Sequence, residues 1–168
     1  MKVLVTAGSK HGATAEIAHV VGEVLAKHGY ATSVLTPEQV GAVADYQAYV
    51  IGSAIYAGRW RPEARDLVER HAELLRSRPV WLFSSGPVGD PPKPAEDPAD
   101  AAVVVGAVSP REHRVFPGRL DRSQLSLVER GVVRALRVPY GDYRDWDAVR
   151  SWAESIAGAL DRAGSRSA

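Results

Sequence analysis

Apolar residues fall along this chain in short unbroken runs that alternate with stretches of helical spacing. The run over 3–6 predicts a buried strand that closes at Gly8. Ile17, Val20, Val21, Val24 and Leu25 recur at the helical period and predict a helix over 14–28, with Gly29 as its C-cap. Strands are predicted over 31–36, where Pro37 stops the run, and over 48–53. Pro62 suits the first position of a helix, where its missing N–H costs nothing. That helix has Ala64, Leu67, Val68, His71 and Leu75 on its apolar face. A strand over 79–84, a short helix over 101–108, a last strand over 113–117 and helices over 124–136 and 145–163 complete the chain. Asp145 is placed to cap the final helix, with Asp147 in its first turn.

Strands that alternate with helices imply an α/β domain with a parallel sheet covered on both faces. Such a doubly wound sheet binds ligands outside the carboxyl ends of its strands, where the strand order reverses. Three loops follow predicted strands there: residues 8–13, 54–61 and 85–91.

Composition narrows the chemistry. A length of 168 residues fits one domain, taken as 1–163 with 164–168 as a frayed tail. The Pro-rich stretch over 90–98 reads as a surface loop, since no second core-sized region follows it. No cysteine is present, which removes disulfides, cysteine-held metal clusters and thiol catalysis and fits a reducing cytoplasm. The first apolar run is too short for a signal peptide, and no stretch approaches the roughly 20 apolar residues of a membrane span. A net charge of +1 gives no global field for nucleic acid. The five histidines are scattered without metal-ligand spacing, so no metal is expected, and no nucleophile elbow is present.

The first loop, Ser9, Lys10, His11, Gly12, Ala13 and Thr14, runs straight into a helix. Helix N-terminal amides and the helix dipole favour an anion there, and Ser9 and Thr14 add hydroxyls. The loop is equally readable as a plain turn with Thr14 as N-cap. It has neither the P-loop nor the dinucleotide glycine spacing. Lys10 either neutralises an anion or is solvated, and His11 either donates to a ligand or faces solvent. His71 reads more readily as a core histidine than as a base.

Ser9, Gly12, Thr14, Ala18 and Val21 stand at the spacing of the flavodoxin signature, with Ala7 where that signature has an aromatic residue. Residues 50–56 with Gly58, then Val68, His71, Ala72 and Leu75, and Asp145-Trp146 resemble the menaquinone-dependent protoporphyrinogen oxidase branch of the flavodoxin-like superfamily. The resemblance implies a three-layer fold with a five-stranded parallel sheet in the order 2-1-3-4-5, and FMN as cofactor. It implies cofactor contacts from Ser9 to Thr14, from Ser53, Ala54, Ile55, Tyr56, Ala57 and Gly58, and from Ser85, Gly86, Pro87, Val88, Gly89 and Asp90. Tyr56 and Trp60 are the candidates for stacking on the flavin, although the family's aromatic aligns with Ala57. Trp60 is equally readable as an exposed anchor for the next helix. The flavin carries the redox chemistry, so no catalytic side chain is named.

The implied function is an FMN-dependent oxidoreductase that passes electrons from an organic substrate to a quinone or another acceptor. The alternative is a small electron carrier whose partner is a redox protein. A fold that has lost FMN fits poorly with Ser9, Gly12 and Thr14 in place. Carrier flavodoxins tend to be acidic, and a sequence pI near 8.1 favours the enzyme. The implied location is cytoplasmic, with peripheral contact to a membrane quinone pool at the inner face. The oxidase branch has a long insertion between the last strand and the last helix, and the stretch over 120–143 here is shorter.

One charge cluster stands apart. Between Arg111 and Arg137 lie Arg114, Arg119, Arg122, Arg130 and Arg134 against Glu112, Asp121 and Glu129, a local excess of +4. Leu125, Val128, Val132 and Leu136 form a stripe at helical spacing, which predicts a core-packed helix with a solvated basic side. The competing reading is a surface that attracts an anionic partner.

Overall fold

The computed structural model describes residues 1–86, 88 and 101–165. Its elements run β1 (Lys2–Gly8), α1 (Ala13–Lys27), β2 (Ala31–Leu35), β3 (Ala48–Tyr56), β4 (Arg59–Trp60), α2 (Pro62–Arg70), α3 (Ala72–Arg76), β5 (Val80–Ser85), α4 (Ala101–Val108), β6 (Glu112–Phe116), β7 (Arg119–Leu120), α5 (Leu127–Leu136), β8 (Gly141–Asp142) and α6 (Trp146–Gly164). Five parallel strands pair in the order β2-β1-β3-β5-β6. With the two-residue β4 set aside as an antiparallel partner of β3, this is the 2-1-3-4-5 sheet the sequence implied.

The period-2 geometry of each strand divides its apolar residues between two cores. Val3, Val5, Val50, Trp81 and Phe83 face one side, where they meet α1 and α6. Leu4, Tyr49, Ile51, Val80 and Leu82 face the other, against α2, α3 and α4. The rings of Phe83, Phe116 and Trp152 meet edge to face at 5.4–6.2 Å. Such pairs add about 0.5–1.5 kcal/mol each beyond the area they bury. Gly52 makes this packing possible, because a Cβ there would lie 2.1 Å from the Phe83 ring.

Several local expectations shift. The helix that opens at Pro62 breaks at His71, which joins α2 to α3 half-buried rather than sitting in the core. His28 caps α1, and Gly29 follows it at φ 85. Asp145 caps α6 as expected, accepting from the Ala148 amide at 2.9 Å. The same helix extends through Gly164, a residue assigned to the tail from sequence. The loop over 90–98 and residues 166–168 lie outside the described residues.

The largest departure is α5, which buries none of its residues. The chain leaves β6, pairs β7 with β8 as a two-stranded stem, and carries α5 between them. α5 therefore has no layer of the sandwich to pack on, and its apolar stripe is not a core stripe.

Candidate functional site

The three predicted loops meet at the carboxyl ends of β1, β3 and β5. These strands are level there, with Gly8 beside Ser53 and Ala54 beside Ser85. Strand order reverses at the same place, since β2 and β3 lie on opposite sides of β1. A cavity of about 320 Å³ opens between the loops. The first loop lines it with Ser9, Lys10, His11, Ala13 and Thr14, the second with Ala54, Ile55, Tyr56 and Ala57, and the third with Ser85, Gly86 and Val88. Gly12, Ser53 and Gly58 do not line it. Pro87, Gly89 and Asp90 lie outside the described residues.

Gly12, not Thr14, is the N-cap of α1. It holds φ 81, a left-handed conformation that suits glycine, and no side chain caps the helix. The first-turn amides of α1 are thus left without side-chain acceptors. Thr14 is buried one position inside the helix. Ser53 is buried and structural: its hydroxyl donates to the Ala54 carbonyl (2.8 Å) and accepts from the Arg61 amide (2.7 Å).

Trp60 is neither a ring at the cavity nor an exposed anchor. Ala57 and Gly58, at φ 51 and 73, make a two-residue hairpin turn, and the reversed chain pairs Trp60 with Ile55. That register drives the indole into the α2 core, where it is 2% exposed and donates to the Ser84 hydroxyl at 2.8 Å. Tyr56 stays at the rim, 41% exposed, with the Lys10 ammonium 3.7 Å from its ring centroid.

The fourth wall comes from a segment the sequence reading did not assign to the site. Gly118 and the two β7 residues Arg119 and Leu120 line the cavity, and Leu125, Val128, Glu129, Val132 and Val133 line it from α5 and the turn before it. Ser126 and Glu129 form a capping box, a sequence signal for where α5 starts but not for its place at the cavity, with the Glu129 carboxylate accepting from the Ser126 amide at 2.7 Å. The other oxygen of Glu129 accepts from Lys10 (2.8 Å) and lies 3.2 Å from His11 Nε2. Hydrogen bonds from Lys10, then from the Ser126 amide, hold the Glu129 carboxyl well below the usual carboxylate range. The same bond from Glu129, then Tyr56, raises Lys10.

The stem is tied to α1 by a second charge group. The Arg144 guanidinium, nearly buried, bonds Asp142 and Glu16 at 2.6 Å each and the Ala13 carbonyl at 3.1 Å. Arg119 adds a 3.1 Å contact to Glu16. Burial pushes the Glu16 carboxyl up, and the two guanidiniums more than reverse it. Among the described residues no group of three or more acids and histidines could hold a metal.

A family model described as a flavodoxin domain matches residues 4–147. The chain belongs to the flavodoxin-domain family. It is 23% identical to the protoporphyrinogen IX dehydrogenase [quinone] of Escherichia coli strain K12, over 96% of this chain and 98% of that protein. Among solved structures, a flavodoxin from the domain Archaea superposes with a TM-score of 0.65 at 14% identity, covering 96% of this chain and 99% of its own. The rubredoxin oxygen:oxidoreductase of Desulfovibrio gigas superposes with a TM-score of 0.63 at 13% identity, over 96% of this chain and 36% of that one. These structures share the fold of this flavodoxin domain.

Two of the side-chain oxygens buried without a hydrogen-bond partner among the described residues, Ser9 Oγ and Ser85 Oγ, belong to residues that line the cavity. Buried hydroxyls are ordinarily satisfied, and leaving one unmade costs roughly 1–3 kcal/mol. The cavity of this domain thus joins unspent donors and an uncapped helix N-terminus at one end to an apolar wall on α5 at the other.

Proposed function

We propose that this protein binds FMN in the cavity and passes electrons from a reduced organic substrate to a quinone or another acceptor. The observation that carries the reading is the pair of unsatisfied hydroxyls at Ser9 and Ser85, set beside the uncapped N-terminus of α1. On this reading they donate to a ligand with a phosphate and a polar ring edge. Ser9, Ala13 and Thr14 hold the phosphate, with Lys10 and His11 beside it. Ala54, Ile55, Tyr56 and Ala57, with Ser85, Gly86 and Val88, frame the flavin ring. FMN, when bound, supplies one- and two-electron redox chemistry, and the protein orients it and keeps water away.

The apolar wall of Val128, Val132 and Val133 supports an enzyme over a bare carrier, because a large apolar substrate or acceptor needs such a surface near the flavin. The E. coli relative's name supplies the first candidates, a protoporphyrinogen as donor and a quinone as acceptor. No helix among the described residues is long and apolar enough to cross a membrane. The reading has the protein meet a quinone pool at the membrane surface from the cytoplasmic side.

The test is an anaerobic stopped-flow experiment on FMN-reconstituted protein. Mixing with protoporphyrinogen IX should bleach the flavin, and a second mix with menadione should restore it. Reduction only by a reduced redox protein, with none by the porphyrinogen, would replace the enzyme with the carrier.

A further inference from the structure

We propose that the apolar flank of α5, running from Leu127 and Leu136 to the cavity mouth at Val128 and Val132, docks on the surface of a negatively charged phospholipid bilayer. The functional use of this contact rests on the reading of the cavity given above; the contact itself does not. Leu127, Val128, Val132 and Leu136 are 82%, 78%, 55% and 51% exposed. At about 100° per residue they share one half of the helix with Gly131 and Ala135, while Arg130, Arg134 and Arg137 gather in the remaining sector. A contiguous apolar face turned to water calls for a partner.

Charge decides which partner. Of the two acids of this excursion before the stem strand β8, Glu129 is paired with Lys10, and Asp121, bonded by the uncharged amide and hydroxyl of Ser123, keeps its charge. Four arginines outnumber it: Arg122, Arg134 and Arg137 are exposed and Arg130 is half-buried with its Nε inside, and with Tyr140 they border a groove. Apolar residues flanked by arginines suit the boundary between headgroups and acyl chains, where anionic lipids attract the cations. A symmetric pair of these helices would instead bring like charges together. Val128 and Val132 belong to both the exposed face and the cavity wall. Apolar surface is therefore continuous from the docking face to the cavity, and a lipid-soluble acceptor reaches it without crossing water.

The experiment is vesicle sedimentation of the full chain reconstituted with FMN, using 30% phosphatidylglycerol in phosphatidylcholine. The flavin spectrum of each fraction is read on the same samples. Binding should be strong at low salt, about tenfold weaker in 0.5 M salt, and absent on pure phosphatidylcholine. Arg134→Gln with Arg137→Gln should weaken it about tenfold or more, as should Leu127→Ser with Leu136→Ser. These four side chains do not line the cavity, and α5 has no buried residue, so folding and flavin content should hold in both variants. Equal partition of the wild type and both variants would overturn the proposal. So would a wild-type dimer in sedimentation velocity that Leu127→Ser with Leu136→Ser converts to monomer, since the face would then belong to a second copy. Vesicle binding without flavin in the pellet would spare this proposal and defeat the cofactor reading.

Discussion

The Glu129 carboxylate lies 2.8 Å from the Lys10 ammonium, joining positions 119 residues apart in sequence. This bond closes α5 over the first loop. α5 has no buried residue of its own, so its placement depends on this latch and on the Arg119 and Arg144 contacts with Glu16 at the stem.

The latch is sensitive to pH. Glu129 is held below its ordinary value of 4.5, so its contribution is fully present above that value and is lost as pH falls through the depressed one. The protection factor of the α5 amides, taken against the intrinsic exchange rate at each pH, should therefore hold from pH 7 to about 5 and fall progressively as the solution is acidified further. Glu129→Gln should give the low protection already at pH 7. Equal protection in both proteins, unchanged down to pH 3, would mean the latch does not hold the helix.

Ser9→Ala with Thr14→Ala should weaken FMN binding on the order of a hundredfold, since each hydrogen bond to a charged phosphate is worth about 1.5–3 kcal/mol. Neither residue caps α1 and Ser9 Oγ has no partner to lose, so the cost in a urea melt should stay at about 1 kcal/mol, set by the buried Thr14 side chain. Fluorescence titration with FMN measures the first effect. An unchanged dissociation constant in the double variant would put the phosphate elsewhere.

Trp60 and Tyr56 should separate cleanly. Trp60→Phe removes the indole bond to Ser84 and should cost about 1–3 kcal/mol in a urea melt, with the FMN dissociation constant kept within twofold. Tyr56→Ala should leave stability nearly unchanged and alter the flavin spectrum, because its ring is exposed at the cavity rim. The opposite assignment of effects would return Trp60 to the site.

The contrast between those two rings explains what the sequence could carry. β1, β3 and β5 were legible because strands buried on both faces read as unbroken apolar runs. Asp145 was legible because a helix start has a local signature. Trp60 was not, because only the Ala57–Gly58 turn and the pairing with Ile55 send its side chain inward, and both are properties of the folded hairpin. The stripe on α5 misled for a related reason. Helical periodicity reports an apolar face but not what covers it, and here no layer of the sandwich reaches it. The first and third loops were found as backbone features of a doubly wound sheet, whereas Glu129 joins the site only through a contact with Lys10 far away in sequence.

Gly52→Ala should be severely destabilising, with loss of several kcal/mol or failure to fold, since its Cβ would meet the Phe83 ring at 2.1 Å. Pairing it with Phe83→Leu should recover part of the loss. Thermal unfolding of the single and double variants checks this, and a single variant as stable as the wild type would mean the core has room the packing does not indicate.

Titration of the purified apo-protein with FMN and with FAD decides whether the cavity between the three loops is an FMN site. The loop from Ser9 to Thr14 offers one helix N-terminus for one terminal phosphate and lacks a dinucleotide turn. Flavin fluorescence should be quenched at a 1:1 stoichiometry by FMN at micromolar concentration or below, FAD should bind far more weakly, and FMN should be the cofactor recovered on extraction. Tight binding of FAD alone, or no binding of FMN at micromolar concentration, would mean that the cavity is not an FMN site.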